Sequence, residues 1–133
     1  MKYFGTDGIR GKSEKVLALS YALGVVVGRN NHFVVVGRDT RPSSIDIEKE
    51  LTKGLLSAGA KVGLAGVLPT PALAHTAKVK GAKAIMITAS HNPPEYNGLK
   101  VMGAEKLDEA EEVALDRALD EEISNPSYPS GSG

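Results

Sequence analysis

The chain has no cysteine, which removes disulfides and thiolate metal sites and fits a reducing, cytoplasmic setting. It also has no excess charge of either sign. Sixteen Lys and Arg balance sixteen Asp and Glu, so no net field draws it to nucleic acid or to an anionic membrane, and neither is expected as a partner. A long apolar run is missing too: the stretch from Val16 to Val27 is broken by Ser20, Tyr21 and Gly24. It falls short of the roughly 20 residues a membrane span requires, and Met1 opens no signal peptide. What remains is 133 residues with 41% hydrophobic content, enough for one domain with a proper core and too little for two of ordinary size.

Val16, Leu19, Leu23 and Val27 recur at helical spacing after Ser13, and Gly28 reads as the stop of that helix. Phe33-Val34-Val35-Val36 lacks polar alternation, as a strand covered on both faces would. Ser43 with Asp46 resembles a capping box ahead of a helix whose buried stripe is Ile47, Leu51, Leu55 and Ala58, with Gly59 as its stop. Lys61 to Val67 predicts a strand. Thr70-Pro71 predicts the cap and N1 proline of a helix reaching about Lys80, where Gly81 ends it. Ala84 to Ile87 predicts another strand, Leu99 to Met102 a short return strand, and the segment from Asp108 a helix with a Leu107, Ala110, Ala114, Ala118 stripe. Its acidic residues Glu109, Glu112, Asp116 and Asp120 read as a solvated face. Strands alternating with helices predict an α/β fold, a three-layer α/β/α domain whose mixed sheet is largely parallel. After Ile123 the Ser, Pro and Gly content predicts a linker or appended tail over residues 124–133.

Three polar loops carry unusual charge: Gly5 to Gly11, Arg38 to Arg41, and Thr88 to Gly98. The first holds glycines that let backbone approach a ligand and an Arg10 that can fork onto phosphate oxygens, and it reads equally as a structural turn. It lacks the Lys-Ser/Thr ending of a P-loop and does not fit the dinucleotide fingerprint. The third puts Ser90 directly after an apolar strand, where α/β proteins gather reacting groups. Ser90 admits three readings. A hydrolase nucleophile would want a glycine-flanked elbow and a base in contact; Ala89-Ser90-His91 supplies neither, because neighbours on extended backbone project to opposite faces. A phosphoryl acceptor would want surrounding cations and donors, which Arg10, His91, Asn92 and Lys100 can supply. The third reading is a turn stitched by its own side chains. Asn97-Gly98 favours a tight turn that returns Lys100 toward the loop. Lys100 then serves as a proton shuttle or as a solvated strand residue, His32 and His75 read as structural or exposed, and Tyr96 packs within its own loop or on a sugar.

These segments, Phe4-Gly5-Thr6-Asp7-Gly8-Ile9-Arg10-Gly11, Val36 to Arg41 and Thr88 to Gly98, appear in the order in which they resemble the α-D-phosphohexomutase family of phosphoglucomutases, phosphomannomutases and phosphoglucosamine mutases. The resemblance implies an enzyme that moves a phosphoryl group between the 1- and 6-positions of a hexose phosphate through a bisphosphate intermediate. It implies Ser90 as the phosphoryl carrier and one Mg²⁺ ligand, Lys100 as general acid/base, Arg10 as a stabiliser of the phosphoryl group and His91 as its support. Arg38, Asp39 and Arg41 are implied to orient the serine loop. The N-terminal segment is closest to phosphoglucosamine mutases and the Pro93 to Gly98 segment looks more like the other two, so the hexose stays open. Residues 1–123 resemble only the first of the family's four domains, which implies that the other metal ligands and the sugar pocket lie in further domains. The alternative is a stand-alone, non-catalytic domain that binds a sugar phosphate or a partner.

Overall fold

The computed structural model describes residues 1–127. Nine elements follow in order: β1 (Ile9–Lys12), α1 (Ser13–Arg29), β2 (Phe33–Arg38), α2 (Pro42–Ser57), β3 (Lys61–Val67), α3 (Thr70–Lys80), β4 (Lys83–Ile87), β5 (Tyr96–Met102) and α4 (Glu109–Ser124). The strands form one mixed sheet in the order β1-β5-β4-β2-β3, with β4, β2 and β3 parallel and β5 antiparallel to both β4 and β1. The expected α/β/α sandwich is the fold, with its layers unequal. Val34, Val36, Ile85, Ile87, Leu99 and Val101 face α1, α2 and α4 across the larger core, whereas Val35, Ala84, Met86 and Met102 meet α3 alone. No helix among the described residues is long and apolar enough to cross a membrane.

Several expectations are corrected. The glycine-rich N-terminal loop is in part a strand: Gly5 and Gly8 close a turn, and Ile9 to Lys12 pair with Leu99 to Tyr96. Gly28 does not end α1, which runs on to Arg29. Gly24, Gly28 and Gly54 instead let α1 and α2 touch backbone to backbone, since a Cβ at Gly28 would lie 2.9 Å from the Leu55 carbonyl oxygen and one at Gly54 would lie 3.0 Å from the Val25 nitrogen. No capping box forms at Ser43, because Pro42 is already helical and Arg41 holds the cap position. Thr70 is likewise inside its helix and gives no side-chain cap. Gly59 and Gly81 do end their helices, with φ of 96° and 61° in the left-handed region glycine favours. Asn97-Gly98 lies inside β5 rather than in a tight turn; the chain reverses earlier, where the Tyr96 N–H donates to the Pro93 carbonyl.

The stripe expected on α4 is also displaced. Ala110 and Ala114 are exposed, and the helix buries Asp116, Leu119 and Glu122. Asp116 is 7% exposed because its carboxylate accepts three successive backbone N–H groups, from Lys2 at 2.8 Å, Tyr3 at 2.7 Å and Phe4 at 2.9 Å. Burial pushes this carboxyl up, and those three donors outweigh burial and hold it below its ordinary value. The N-terminal segment is thereby pinned to α4 and led into β1. Of the expected linker, Ser124 still belongs to α4, Ser127 bonds Glu122 and Arg29, and 128–133 lie outside the described residues.

Candidate active site

Because β2, β3 and β4 run parallel, the loops that follow them open at the same end of the sheet, and β1, two antiparallel steps away, points there too. At that end a cleft of about 400 Å³ is lined by Asp7, Arg10, Thr70, Thr88, Ser90, His91, Asn92 and Lys100. The structure thus brings all four candidate residues, Ser90, Arg10, His91 and Lys100, to one cleft. Asp7 and Thr70 are additions: the sequence shows Thr70 only as a helix start, although a helix entered from a parallel strand opens at this end of the sheet.

Ser90 sits on the exposed surface of the loop after β4 with φ of 53°, the one non-glycine residue with positive φ among those described. The extended backbone assumed for Ser90-His91 therefore does not apply. The Ser90 N–H donates to the Thr88 hydroxyl at 3.0 Å, and the Thr88 N–H donates to the Gly98 carbonyl at 3.1 Å, tying the loop's root to β5. Arg10 approaches from across β5. It pairs in register with Gly98, where a Cβ would stand 2.5 Å from Arg10 Cδ, so the missing side chain is what lets Arg10 cross the strand. Arg10 Nη2 then donates to Ser90 Oγ at 3.4 Å, a long bond. Lys100, half-buried, lies on the same sheet face two residues beyond Gly98. The Lys12 ammonium stands 4.9 Å from the Tyr96 ring centroid, so Tyr96 meets a strand neighbour rather than its own loop. His91 is exposed at the rim, while His32 and His75 are exposed elsewhere.

Behind the loop, Arg41 donates to Ser90, Asn92, Pro93 and Tyr96 carbonyls, and its Nε donates to Asp39 at 3.0 Å. Asp39 accepts further from Ser44 Oγ at 2.7 Å and the Arg41 N–H at 3.0 Å. Burial raises the Asp39 carboxyl, but the Ser44 hydroxyl, the Arg41 N–H, the Thr88 hydroxyl and the Arg41 guanidinium together lower it below the ordinary range, so it stays ionised. Fully buried Asn97 donates to Ser43 and Ser44 hydroxyls, and Ser13 donates through N–H and hydroxyl to the Glu95 carbonyl. Arg38 bonds no atom of the serine loop directly: its Nη1 donates to the Asp39 carbonyl at 3.5 Å and its Nε faces Glu48 at 3.5 Å.

Ser90 Oγ therefore meets a guanidinium and shares its cleft with an ammonium and an imidazole, a setting that suits a developing or transferred anion. Among the described residues no three His, Asp or Glu side chains gather to hold a metal ion, and Asp7 is the cleft's one carboxylate. These residues alone do not make a Mg²⁺ site. Comparison with known proteins bears on the same arrangement. A family model described as phosphoglucomutase/phosphomannomutase, alpha/beta/alpha domain I, matches residues 1–125. The chain belongs to this family. The family domain is 47% identical over 134 residues to a phosphoglucosamine mutase of Thermosipho africanus, covering 98% of this chain and 30% of the relative. It is 47% identical over 133 residues to one from Xanthomonas euvesicatoria, covering 90% of this chain and 30% of the relative. A crystal structure of a phosphoglucomutase/phosphomannomutase family protein from Burkholderia thailandensis superposes with a TM-score of 0.70 at 29% identity, over 98% of this chain and 31% of that one. The chain thus spans under a third of the length of these relatives.

Proposed function

We propose that residues 1–123 form the phosphoserine domain of a longer, cytoplasmic phosphohexomutase, an isomerase that interconverts hexose 1-phosphate and 6-phosphate. The observation that carries this reading is Ser90, turned out at the cleft with its Oγ facing Arg10 rather than a base. In the proposed cycle the sugar hydroxyl oxygen bonds the phosphorus held on Ser90, the Ser90 Oγ–phosphorus bond breaks, and Lys100 relays the hydroxyl's proton to the departing Ser90 Oγ. The bisphosphate then presents its other phosphoryl group, which returns to Ser90 Oγ while Lys100 relays the Ser90 hydroxyl's proton to the departing sugar oxygen. Arg10 and His91 hold the phosphoryl oxygens through both transfers. Bound Mg²⁺ would neutralise charge on the group in flight, with Ser90's phosphoryl oxygen as this domain's ligand and the rest from further domains of the same protein. The names of the curated relatives favour glucosamine phosphate as the hexose.

The test is intact mass. The longer protein, incubated with hexose 1,6-bisphosphate, gains one phosphoryl group that maps to Ser90, and Ser90→Ala gains none while melting within about 2 °C of the parent, because this exposed hydroxyl has little packing to lose. A parent that never gains the group sinks the proposal.

A further inference from the structure

The strongest arrangement that the proposed chemistry leaves unused lies behind the serine loop. A guanidinium carries five N–H donors in a fixed plane, and Arg41 uses all five. Nε bonds Asp39 at 3.0 Å; Nη1 bonds the carbonyls of Pro93 at 2.6 Å and Tyr96 at 3.1 Å; Nη2 bonds those of Ser90 at 2.9 Å and Asn92 at 2.7 Å. Four carbonyl oxygens from seven consecutive residues thus converge on one side chain. Arg41 itself does not line the cleft, whereas Ser90, His91 and Asn92 do. Each bonded carbonyl has its negative end committed to Arg41 and cannot swing toward an anion held at Ser90 Oγ. The loop's other bonds each tie a single point: the Ser90 N–H to the Thr88 hydroxyl, the Asn92 N–H to the Ala89 carbonyl, the Tyr96 N–H to the Pro93 carbonyl and the Glu95 carbonyl to Ser13. Pro93 and Pro94 donate no N–H, and Ser90 occupies the left-handed region that a non-glycine residue enters only under constraint. The anchor beneath is rigid, since Asp39 is held by Ser44, and Ser44 by Asn97, whose side chain is fully buried.

We propose that Arg41 is a positioning residue for phosphoryl transfer at Ser90: by saturating its guanidinium with loop carbonyls it fixes Ser90 in the left-handed conformation and keeps four carbonyl oxygens off the incoming phosphate. The role rests on the phosphoryl-carrier reading above; the clamp itself does not. Lysine at this position keeps the charge but offers three donors from one point and cannot bridge the four oxygens.

The test has two arms. In hydrogen exchange on the present chain, Arg41→Lys speeds exchange of the 89–98 amides by about tenfold or more and leaves β2 and β4 amides within about twofold. In the longer protein the same substitution lowers kcat for sugar phosphate by about a hundredfold with KM within about threefold, as expected when a reacting group is displaced by an ångström or so while the sugar's own contacts persist. Asp39→Asn, which leaves Arg41 its five donors and loosens its anchor, falls between parent and Arg41→Lys in both arms. Unchanged exchange in the loop overturns the clamp, and so does equal acceleration throughout the sheet, which would make Arg41 a general stability residue. A rise in KM matching the loss in kcat/KM overturns the positioning role in favour of direct substrate binding. If the parent never phosphorylates Ser90, the carrier reading and the catalytic part of this proposal fall together, and the exchange arm still decides whether Arg41 holds the loop.

Discussion

Gly98→Ala perturbs the crossing of Arg10 over β5 with a single methyl group. The backbone at Gly98 has no positive φ, so alanine meets no conformational penalty and the effect is steric. The added Cβ would stand 2.5 Å from Arg10 Cδ and 2.7 Å from the carbonyl oxygens of both Ile9 and Thr88. The arginine can move aside; the two carbonyls belong to main chain on either side, Ile9 in β1 and Thr88 just past the end of β4, and cannot both do so. Overpacking of this kind destabilises by about 1–3 kcal/mol, and at about 3–4 °C per kcal/mol for a domain of this size the melting temperature falls by about 3–12 °C. Thermal unfolding followed by circular dichroism measures this directly. Arg10→Ala removes the Cδ clash but neither carbonyl clash, so the double variant loses less than the sum of the single losses, by about 1 kcal/mol. A Gly98→Ala melting temperature within about 1 °C of the parent, or strict additivity with Arg10→Ala, would refute the claim that Arg10 reaches Ser90 through the space that glycine leaves.

Ser90→Gly removes a non-glycine residue from the left-handed region and should melt about 3–4 °C above Ser90→Ala, a gain of about 1 kcal/mol; equal melting temperatures would mean the loop does not enforce that conformation. Asp116→Asn keeps one acceptor oxygen but turns an amide toward N–H groups at the N-terminal segment, and should destabilise by about 2 kcal/mol near neutral pH. Because burial is outweighed by three N–H donors and the folded carboxyl lies below its ordinary 3.8, the stabilisation from Asp116 is complete above that value and is lost as pH falls from it toward the lower folded one. Urea midpoints taken from pH 7 downward should therefore show parent and Asp116→Asn converging in acid; a constant gap across that range would contradict the assignment.

The parts of this fold that were legible are those whose residues act through apolar patterning. β2 and β4 are unbroken apolar runs because both of their faces are covered, and α1 to α3 carry glycine stops or stripes that follow from helix geometry. β1 escaped because Ile-Arg-Gly-Lys buries one side chain and spends two on the cleft side of the sheet, so it has neither an apolar run nor the usual strand composition. α4 was misread because Asp116 and Glu122 are buried by hydrogen bonding, which polarity patterns cannot show. The serine loop itself was legible as a motif. The path of Arg41 was not: its partners are main-chain oxygens 49 to 55 residues away, and carbonyls leave no mark on the identity of the residues that bear them.

Asp116 and Arg41 share a habit: each grips peptide groups, one through three N–H groups and the other through four carbonyls. Such handholds are present whatever residue occupies the gripped position. Asn92 can therefore drift, or be redesigned for a different anion, without loosening the frame that presents Ser90, whereas exchanging either gripping residue would disturb every position it holds at once. The domain thus keeps its scaffold and its chemistry on separate atoms of the same short loop.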